Sequence, residues 1–480
     1  MIRTVPITAA MVLIPGTAWA EHMSGGGYSI STHWVGLVSL AVFALALVAV
    51  SVEEFINLPK SKPMLLAAGI IWGLIGGYAH HFHLGGVEAE TALRHSLLQY
   101  AELMLFILVV MTYINALSER RVFLALRTWV AHRRYSYRRL FWTTGLVAFL
   151  LSPFLDNLSS ALLMGAVVLN LERDNPRFVS LACINIVLAC NAGGAYSPFG
   201  DITTLMVWQQ AIQSTTGAVD FFSFFHLFIP SLVSYLIPAS LMSMAVPEGR
   251  LGLPQEQIHM SRGSKRIMGL FLLTIATAVV FQGQFGLPAT IGMMTGLSYL
   301  QFFGYYLKKT HEPGPQTVVT SETPDFSVVV ESRQPFDVFL RVARAEWDTL
   351  LFLCGVILAV GGIGYLGYLT ILSELLYVQW GATAANVSIG LLSAVLENIP
   401  TMSVVLNMAP EMSLGQWLLI TLATGIGGSL LSIGSAAGVA LMGQAKGKYT
   451  FFSHLRWTPA VALGFFVAVQ THLWLNSALL

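Results

Sequence analysis

The sequence predicts an all-α polytopic membrane protein made of two inverted-topology repeats, each with a re-entrant hairpin and a broken, unwound transmembrane helix. Hydrophobic residues make up 55% of the 480 residues and charged residues 10%, whereas soluble chains carry roughly 25% charged residues. Apolar runs long enough to cross a bilayer recur along the chain, and polar stretches interrupt four of them. The net charge of +1 gives no one-sign field for nucleic acid.

The first 20 residues predict a signal peptide that is removed. Arg3 precedes an apolar run, and Ala18-Trp19-Ala20 fits an A-x-A cleavage site. The plainer alternative is an uncleaved first helix. Cleavage would leave the mature chain starting near Glu21 on the outer side of a bacterial inner membrane, so we expect a multi-pass protein of that membrane.

Apolar runs of crossing length follow this segment. They predict membrane crossings near residues 34–52, 63–79, 97–117, 178–213, 226–246, 267–282, 288–307, 349–371, 414–444 and 455–478. Two further apolar stretches, 140–171 and 382–410, carry polar sequences at their centres, SPFLDNLSS and ENIPT. Such interrupted stretches predict hairpins that enter the membrane and return to the same side.

The positive charges agree with this topology. With residue 21 outside, every Lys and Arg except Arg3 and Arg94 falls in a cytoplasmic segment. The basic stretch 119–139 predicts an interfacial helix that contacts anionic membrane lipid. Residues 308–334 predict a mobile linker, followed by a second interfacial helix near 336–347.

The crossings fall into two sets with the same order. Residues 21–246 contain hairpin 140–171 and broken helix 178–213, and residues 247–480 contain hairpin 382–410 and broken helix 414–444. Each set has an odd number of crossings, so the second enters the membrane from the opposite side.

Matching motifs support the repeat. Asp156-Asn157-x-x-Ser160 and Glu397-Asn398-x-x-Thr401 have the same spacing at the two hairpin centres, and Gly193-Gly194 with Gly200 matches Gly427-Gly428 with Gly434. Non-helical backbone at bilayer depth requires surrounding protein or water, so the four interruptions predict one internal polar site.

The interruptions supply mainly hard oxygen ligands, which suit a small alkali cation. The residues expected at the site are Asp156, Asn157, Ser159, Ser160, Asn191, Ser197, Asp201, Thr203, Thr204, Glu397, Asn398, Thr401, Ser432 and Ser435. None of the four segments contains Lys or Arg, so an anionic substrate lacks a counter-charge there, although helix N-termini attract anions.

A carboxylate at this depth can serve two ions in turn. Desolvation favours its protonated form, whereas a bound cation favours its ionised form. Asp156 and Asp201 are predicted as the shared group, with Glu397 as a third candidate. The structural alternatives are that Asp201 caps the second half-helix and that Asp156 and Glu397 hold the hairpin tips together.

The charged and histidine residues outside these motifs are not expected to take part in transport. Glu53, Glu54, Lys60 and Lys62 predict an exposed charged collar after the first crossing. Glu102 is expected to pair with a polar neighbour, with proton relay as the alternative. Solvated loop residues are expected for His80, His81, His83 and His95, with pH sensing as the alternative.

Four motifs carry a family resemblance: SPFLDNLSSALL, NAGGAYSPFGDITT, LSAVLENIPTM and GGSLLSIGSAAGVALMG. Over residues 35–478 the chain resembles the NhaD-type sodium/proton antiporters of the ion transporter superfamily. The resemblance implies exchange of Na+ or Li+ for H+, no cofactor, and a homodimer whose hairpin-bearing domain moves against a scaffold.

The resemblance also implies which residues determine transport. They are Asp156, Asn157, Asn191, Asp201, Thr203, Thr204, Ser393, Asn398, Ser432 and Ser435, with Na+ or Li+ at Asp156, Asn157, Asp201 and Asn398. Related carboxylate transporters carry a Ser-Asn-Thr signature at both hairpin tips. Here an acid, Asp156 or Glu397, replaces the first hydroxyl, which weakens a dicarboxylate interpretation.

The predicted function is therefore a secondary antiporter rather than an enzyme. The main alternative is a cation-coupled transporter of an oxyanion or carboxylate on the same fold. An intramembrane hydrolase using Asp156 and Asp201 is disfavoured because one of them lies on a hairpin that does not cross. A channel is the third alternative.

Overall fold

The chain is a polytopic helical membrane protein. The computed structural model describes residues 30–56, 58–82, 87–131, 136–172, 174–249, 260–310 and 338–480. Within these ranges, 8 helices are long and apolar enough to cross a membrane. The predicted signal peptide, residues 1–20, lies outside the described residues, as does most of the linker 308–334.

The first half contains nine labelled helices. They are α1 Trp34–Ser51, α2 Ser61–His81, α3 Val87–Glu119, α4 Val122–Ala131, α5 Tyr137–Leu155, α6 Asn157–Leu171, α7 Pro176–Gly194, α8 Ile202–Gln209 and α9 Phe228–Met244. A small antiparallel hairpin, β1 Gln213–Ser214 and β2 Gly217–Ala218, follows α8 and pairs Gln213 with Ala218.

The second half starts with two long helices. Its helices are α10 Ser264–Phe285, α11 Ala289–Lys309, α12 Val338–Ala343, α13 Trp347–Tyr365, α14 Tyr368–Ser373, α15 Ala382–Leu396, α16 Asn398–Met408, α17 Leu414–Gly427, α18 Ala436–Gln444, α19 Phe451–Leu455 and α20 Thr458–Leu475. Short helical turns at Ile30–Thr32, Glu53–Ile56, Phe222–Leu227, Glu374–Gln379, Ser432–Gly434 and Ser477–Leu479 complete the described helices.

Several boundaries differ from the sequence prediction. Helix α3 begins at Val87, about ten residues before the predicted crossing at 97, because a polar first turn with Glu88 and Glu90 extends it beyond the apolar run. The predicted crossing 349–371 is two helices, because Gly367 between α13 and α14 has a left-handed φ of 89°.

The helices pack in two groups. Helices α1, α2, α3, α10, α11 and α13 contact one another, and the interrupted helices α5–α8 and α15–α18 pack with α9 and α20. Among the described helices long enough to cross a membrane, α7 is the most buried: 89% of its 18-residue apolar stretch is buried. The corresponding share in α10 is 22%. The α13–α16 contact joins the groups, so α16 lies against α13 of the first group.

Candidate cation site

The site begins at the first hairpin tip, where α5 ends at Leu155 and α6 starts at Asn157. Asp156 between them has φ 65° and ψ 164°, a conformation that residues other than glycine rarely adopt. Its carboxylate accepts hydrogen bonds from Ser159 N at 2.7 Å and Ser159 Oγ at 3.0 Å. Asp156 therefore caps α6, as the structural alternative predicted.

The second tip has the same backbone and different partners. Glu397, between α15 and α16, has φ 65° and ψ 155° and makes no side-chain cap bond. Its Oε1 lies 2.6 Å from Lys60 Nζ, and its buried Oε2 has no hydrogen-bond partner. The charge of Glu397 is thus balanced by a residue from the segment that precedes α2.

Asp201 lies in the break between α7 and α8. Its Oδ1 accepts from Thr203 N at 3.3 Å, and Thr204 Oγ1 completes a capping box on α8. Its other oxygen, Oδ2, accepts from Asn157 Nδ2 at 2.9 Å and from Asn398 Nδ2 at 3.4 Å. Asp201 both caps its half-helix and receives one amide from each hairpin.

The Asn398 amide has two sets of partners within reach. In the opposite orientation, its nitrogen would donate to Gly434 O at 3.2 Å and Thr424 O at 3.1 Å. Asn398 can therefore serve either Asp201 or the backbone of the second broken helix.

Glycines in the breaks bring the hairpin asparagines close to the backbone. A Cβ at Gly194 would clash with Asn157 Oδ1, and a Cβ at Gly428 would clash with Asn398 Oδ1. A Cβ at Gly200 would lie 2.7 Å from Gly194 O, and a Cβ at Gly434 would lie 2.7 Å from Gly428 O. Side chains at Gly194 and Gly428 would therefore displace the two asparagines, and side chains at Gly200 and Gly434 would push apart the backbone of the breaks.

These groups line one cavity of about 100 Å³. Its charged lining residues are Lys60, Asp156, Asp201, Glu346 and Glu397, its uncharged polar ones are Asn157, Asn191, Thr349, Asn398 and Ser435, and the remainder are mostly apolar residues from α3 and the breaks. Four acids thus face a small space that also contains one ammonium group.

Comparison with known proteins identifies the family. The sequence family described as "Citrate transporter" (CitMHS) matches residues 28–427. The Na(+)/H(+) antiporter NhaD of Vibrio cholerae is 52% identical over 472 residues, covering 97% of this chain and 97% of the relative. The chain belongs to the NhaD family of Na+/H+ antiporters.

Other members of the NhaD family are similarly close. NhaD of Vibrio parahaemolyticus is 55% identical over 410 residues, which cover 85% of this chain and 97% of the relative. NhaD of Halomonas elongata is 48% identical over 476 residues, which cover 98% of this chain and 94% of the relative. The predicted resemblance is therefore confirmed, and these relatives are named as transporters rather than enzymes.

Within this NhaD-family chain, the cavity brings together part of the predicted site. The predicted residues that line it are Asp156, Asn157, Asn191, Asp201, Glu397, Asn398 and Ser435. Asn191 is fully buried, donates its amide to Ser429 Oγ at 2.8 Å, and has no partner for its Oδ1. Ser435 caps α18 through Gly438 N at 3.3 Å.

The other predicted residues lie outside the cavity lining. They are Ser159, Ser160, Ser197, Thr203, Thr204, Ser393, Thr401 and Ser432. Four of their hydroxyls donate to backbone carbonyls, those of Ser197, Thr204, Ser393 and Thr401. Thr401 Oγ1, for example, donates to Glu397 O at 2.7 Å, and Ser197 Oγ donates to Pro153 O at 3.1 Å. The hydroxyls of Ser160, Thr203 and Ser432 are buried without a partner.

The prediction of an exposed collar was wrong for Lys60. Its side chain is 12% exposed and pairs with Glu397, whereas Lys62 is exposed. The expectation that the site lacks a positive charge was wrong for the same reason, since Lys60 comes from outside the four motifs. Sequence reasoning also missed Glu346 and Thr349, whose side chains form a hydrogen bond of 3.3 Å at the cavity.

No group of three or more His, Cys, Asp or Glu side chains that could hold a metal ion occurs among the described residues. Asp201 instead has two amides beside it, because Asn157 and Asn398 both donate to its Oδ2. Amide and carboxylate oxygens suit a hard alkali ion, which passes through the protein as cargo.

Proposed function

We propose that this protein is a secondary antiporter that exchanges Na+ or Li+ for H+ across a bacterial inner membrane. The observation that carries the proposal is that Asp156 and Asp201 line the same cavity of about 100 Å³. The high identity to NhaD antiporters over nearly the whole chain supports the same activity.

The proposed cation ligands are Asp156, Asn157, Asp201 and Asn398. A carboxylate in this shielded space is favoured in its protonated form, and a bound Na+ favours the ionised form. The proton and the cation therefore exclude each other at one site. If that site opens alternately to the two sides of the membrane, mutual exclusion gives obligatory exchange without a separate proton path.

The charge of the cavity disfavours the alternative cargo. Four acids line it, and its one ammonium, Lys60, is already paired with Glu397 at 2.6 Å. An oxyanion or a carboxylate would find no unpaired positive charge in this lining, whereas the acid oxygens, once ionised, would attract Na+ or Li+. Na+ or Li+ is therefore the proposed cargo, rather than the citrate that the family description names.

The proposed architecture is a pair of inverted repeats with re-entrant hairpins at α5–α6 and α15–α16. Corresponding atoms support it: Ser152 Oγ donates to Cys190 O at 2.7 Å, and Ser393 Oγ donates to Thr424 O at 3.1 Å. The helix caps after the breaks also match, with Asp201 at φ −143°, ψ 148° and Ser435 at φ −141°, ψ 145°. Such repeats allow one site to face either side.

Membrane lipid and a second copy of the chain are the proposed partners. Only 22% of the apolar stretch of the long helix α10 is buried. Lipid or another protomer is needed to cover the rest of this stretch. We propose a homodimer in which the group containing the hairpins moves against the other helices.

Proteoliposomes test the proposed function. A dye-reported pH gradient should collapse on addition of Na+ or Li+ with no organic anion present. Asp156→Asn and Asp201→Asn should abolish this response, and Asp174→Asn, which changes an exposed acid, should not. Exchange that survives in both site variants, or that requires citrate, would contradict the proposal.

A further inference from the structure

Lys60 is a buried ammonium group that the proposed exchange does not use. Its Nζ lies 2.6 Å from Glu397 Oε1 and 4.7 Å from the centroid of the Phe352 ring. The side chain is 12% exposed and lines the same cavity as Asp156 and Asp201. An ion pair and a cation–π contact together fix its charge inside the site.

Other charges face Lys60 from the surrounding helices. Glu53, after α1, and Asp348, in α13, interact with it electrostatically, and Glu346 lines the cavity beside it. Asp348 accepts a hydrogen bond from Ser61 Oγ, and Glu346 accepts one from Thr349 Oγ1. Glu397 has Lys60 as its side-chain partner and a buried Oε2 that no group satisfies.

The two hairpin tips therefore differ in the partner of their acid. Asp156 and Glu397 occupy corresponding positions with similar backbone angles. Asp156 receives two hydrogen bonds from Ser159, whereas Glu397 receives a monovalent cation tethered to the chain. The ammonium group thus neutralises Glu397, as a bound monovalent cation would.

We propose that Lys60 is a specificity-determining residue that fills the cation position beside Glu397 and so limits the cavity to one exchanged ion, bound at Asp156 and Asp201. This inference rests on the proposed exchange function and concerns how many cations the site accepts.

Removal of the ammonium has a definite physical consequence. A buried carboxylate without its partner is strongly destabilised. Na+ from solution relieves this cost because it is small and prefers oxygen ligands. The substitution Lys60→Met keeps a long apolar stem, so it removes the charge and leaves much of the packing in place.

The test compares Lys60→Met, Lys60→Met with Glu397→Gln, and the control Lys62→Met, which removes an exposed charge two residues away. Equilibrium binding of radioactive Na+ to purified protein and the Na+ dependence of exchange are measured in the same alkaline buffer. The parent and Lys62→Met should bind about one Na+ per chain with a Hill coefficient of about 1.

For Lys60→Met we expect about two bound Na+ and a Hill coefficient above 1, because a second cooperating site has appeared. The double variant should return to parent values, because it removes both charges of the pair. Lys60→Arg, which keeps the charge, should also retain the parent count.

An unchanged Na+ count in Lys60→Met, or an extra Na+ that persists in the double variant, would overturn the inference. If Lys60→Met does not insert, Lys60→Gln, which also removes the charge, takes its place: a second bound Na+ supports the inference, and a parent count overturns it. Failure of the proposed function looks different, since the parent itself would then show no Na+-driven proton movement.

Discussion

Asp156 and Glu397 share a backbone conformation that side chains rarely adopt, with φ 65° and ψ 164° at the first tip and φ 65° and ψ 155° at the second. This region of φ and ψ is used almost only by glycine, and a residue with a Cβ is destabilised there by about 1–3 kcal/mol. Both tips therefore hold an acid at a position that glycine would occupy without strain.

Asp156→Gly should stabilise the fold while it abolishes exchange. Glycine relieves the strain, and replacing a helix-capping residue by glycine costs only a few tenths of a kcal/mol. Thermal unfolding in detergent should therefore occur at a higher temperature than in the parent. Unfolding at a lower temperature would mean that the tip is not strained.

Glu397→Gly should shift stability in the opposite direction. The same strain is relieved, but Lys60 is left buried without its partner, which costs about 3–5 kcal/mol. Adding Lys60→Met to Glu397→Gly should recover the lost stability in the same unfolding measurement. If both glycine variants change stability alike, the ion pair has no energetic role.

Gly194→Ala should disable transport through Asn157. The new methyl group would clash with Asn157 Oδ1, and the amide that donates to Asp201 at 2.9 Å would be displaced. We expect roughly tenfold or greater loss of exchange rate in vesicles. Gly443→Ala in α18 is the matched control, since no atom lies within 4 Å of its Cβ position; equal losses in the two variants would contradict the argument.

Asn157→Ala should weaken Na+ exchange more than Asn398→Ala. Both amides donate to Asp201 Oδ2, at 2.9 Å and 3.4 Å, and Asn398 also has backbone carbonyls within reach. Hydrogen bonds to charged groups contribute about 1.5–3 kcal/mol, so the half-saturating Na+ concentration should rise roughly tenfold or more for Asn157→Ala. A larger effect at Asn398 would reverse this ranking.

Tyr137→Phe should reduce stability at neutral pH and have little effect in acid. Burial acts to raise the pKa of Glu172, but hydrogen bonds from Tyr137 and from the N–H groups of Asp174 and Asn175 outweigh it, so the pKa lies below its usual value. A lowered pKa stabilises the fold above the unfolded pKa of about 4.3, and this contribution is lost as the pH falls through the folded pKa.

The variant keeps the ring that stacks on Phe178 with centroids 4.5 Å apart, so it tests the hydroxyl alone. We expect about 1 kcal/mol of lost stability at neutral pH, measured by thermal unfolding across a pH series. Tyr305→Phe, at a residue that is 66% exposed, is the control. A deficit that persists at low pH would rule out the Glu172 contact as its cause.

Local sequence predicted the interrupted helices well because glycine, proline and acids stand out within apolar runs. In the structure, helices end or begin at Asp156, Glu397 and Asp201, which stand out in the sequence for this reason. The hydroxyls were harder to assign, because a helical serine or threonine can satisfy itself locally. Thr401 does so by donating to Glu397 O, four residues earlier.

Lys60 could not be predicted in this way. Its partner Glu397 is 337 residues away in the chain, and nothing in the local sequence separates it from the exposed Lys62 two residues later. A lysine beside an apolar run normally extends to the membrane surface. The tertiary contact between the segment before α2 and the second hairpin, which the motifs do not encode, decides its role.

The two side-chain amides beside Asp201 predict what happens when the two halves of the protein are expressed as separate chains. One amide comes from Asn157 in the first half, and the other, in one of its two orientations, from Asn398 in the second, so neither half encodes the complete candidate site. Separately expressed fragments split within residues 250–259 should each be inactive, and salt tolerance should return to a sensitive host only when both are produced together.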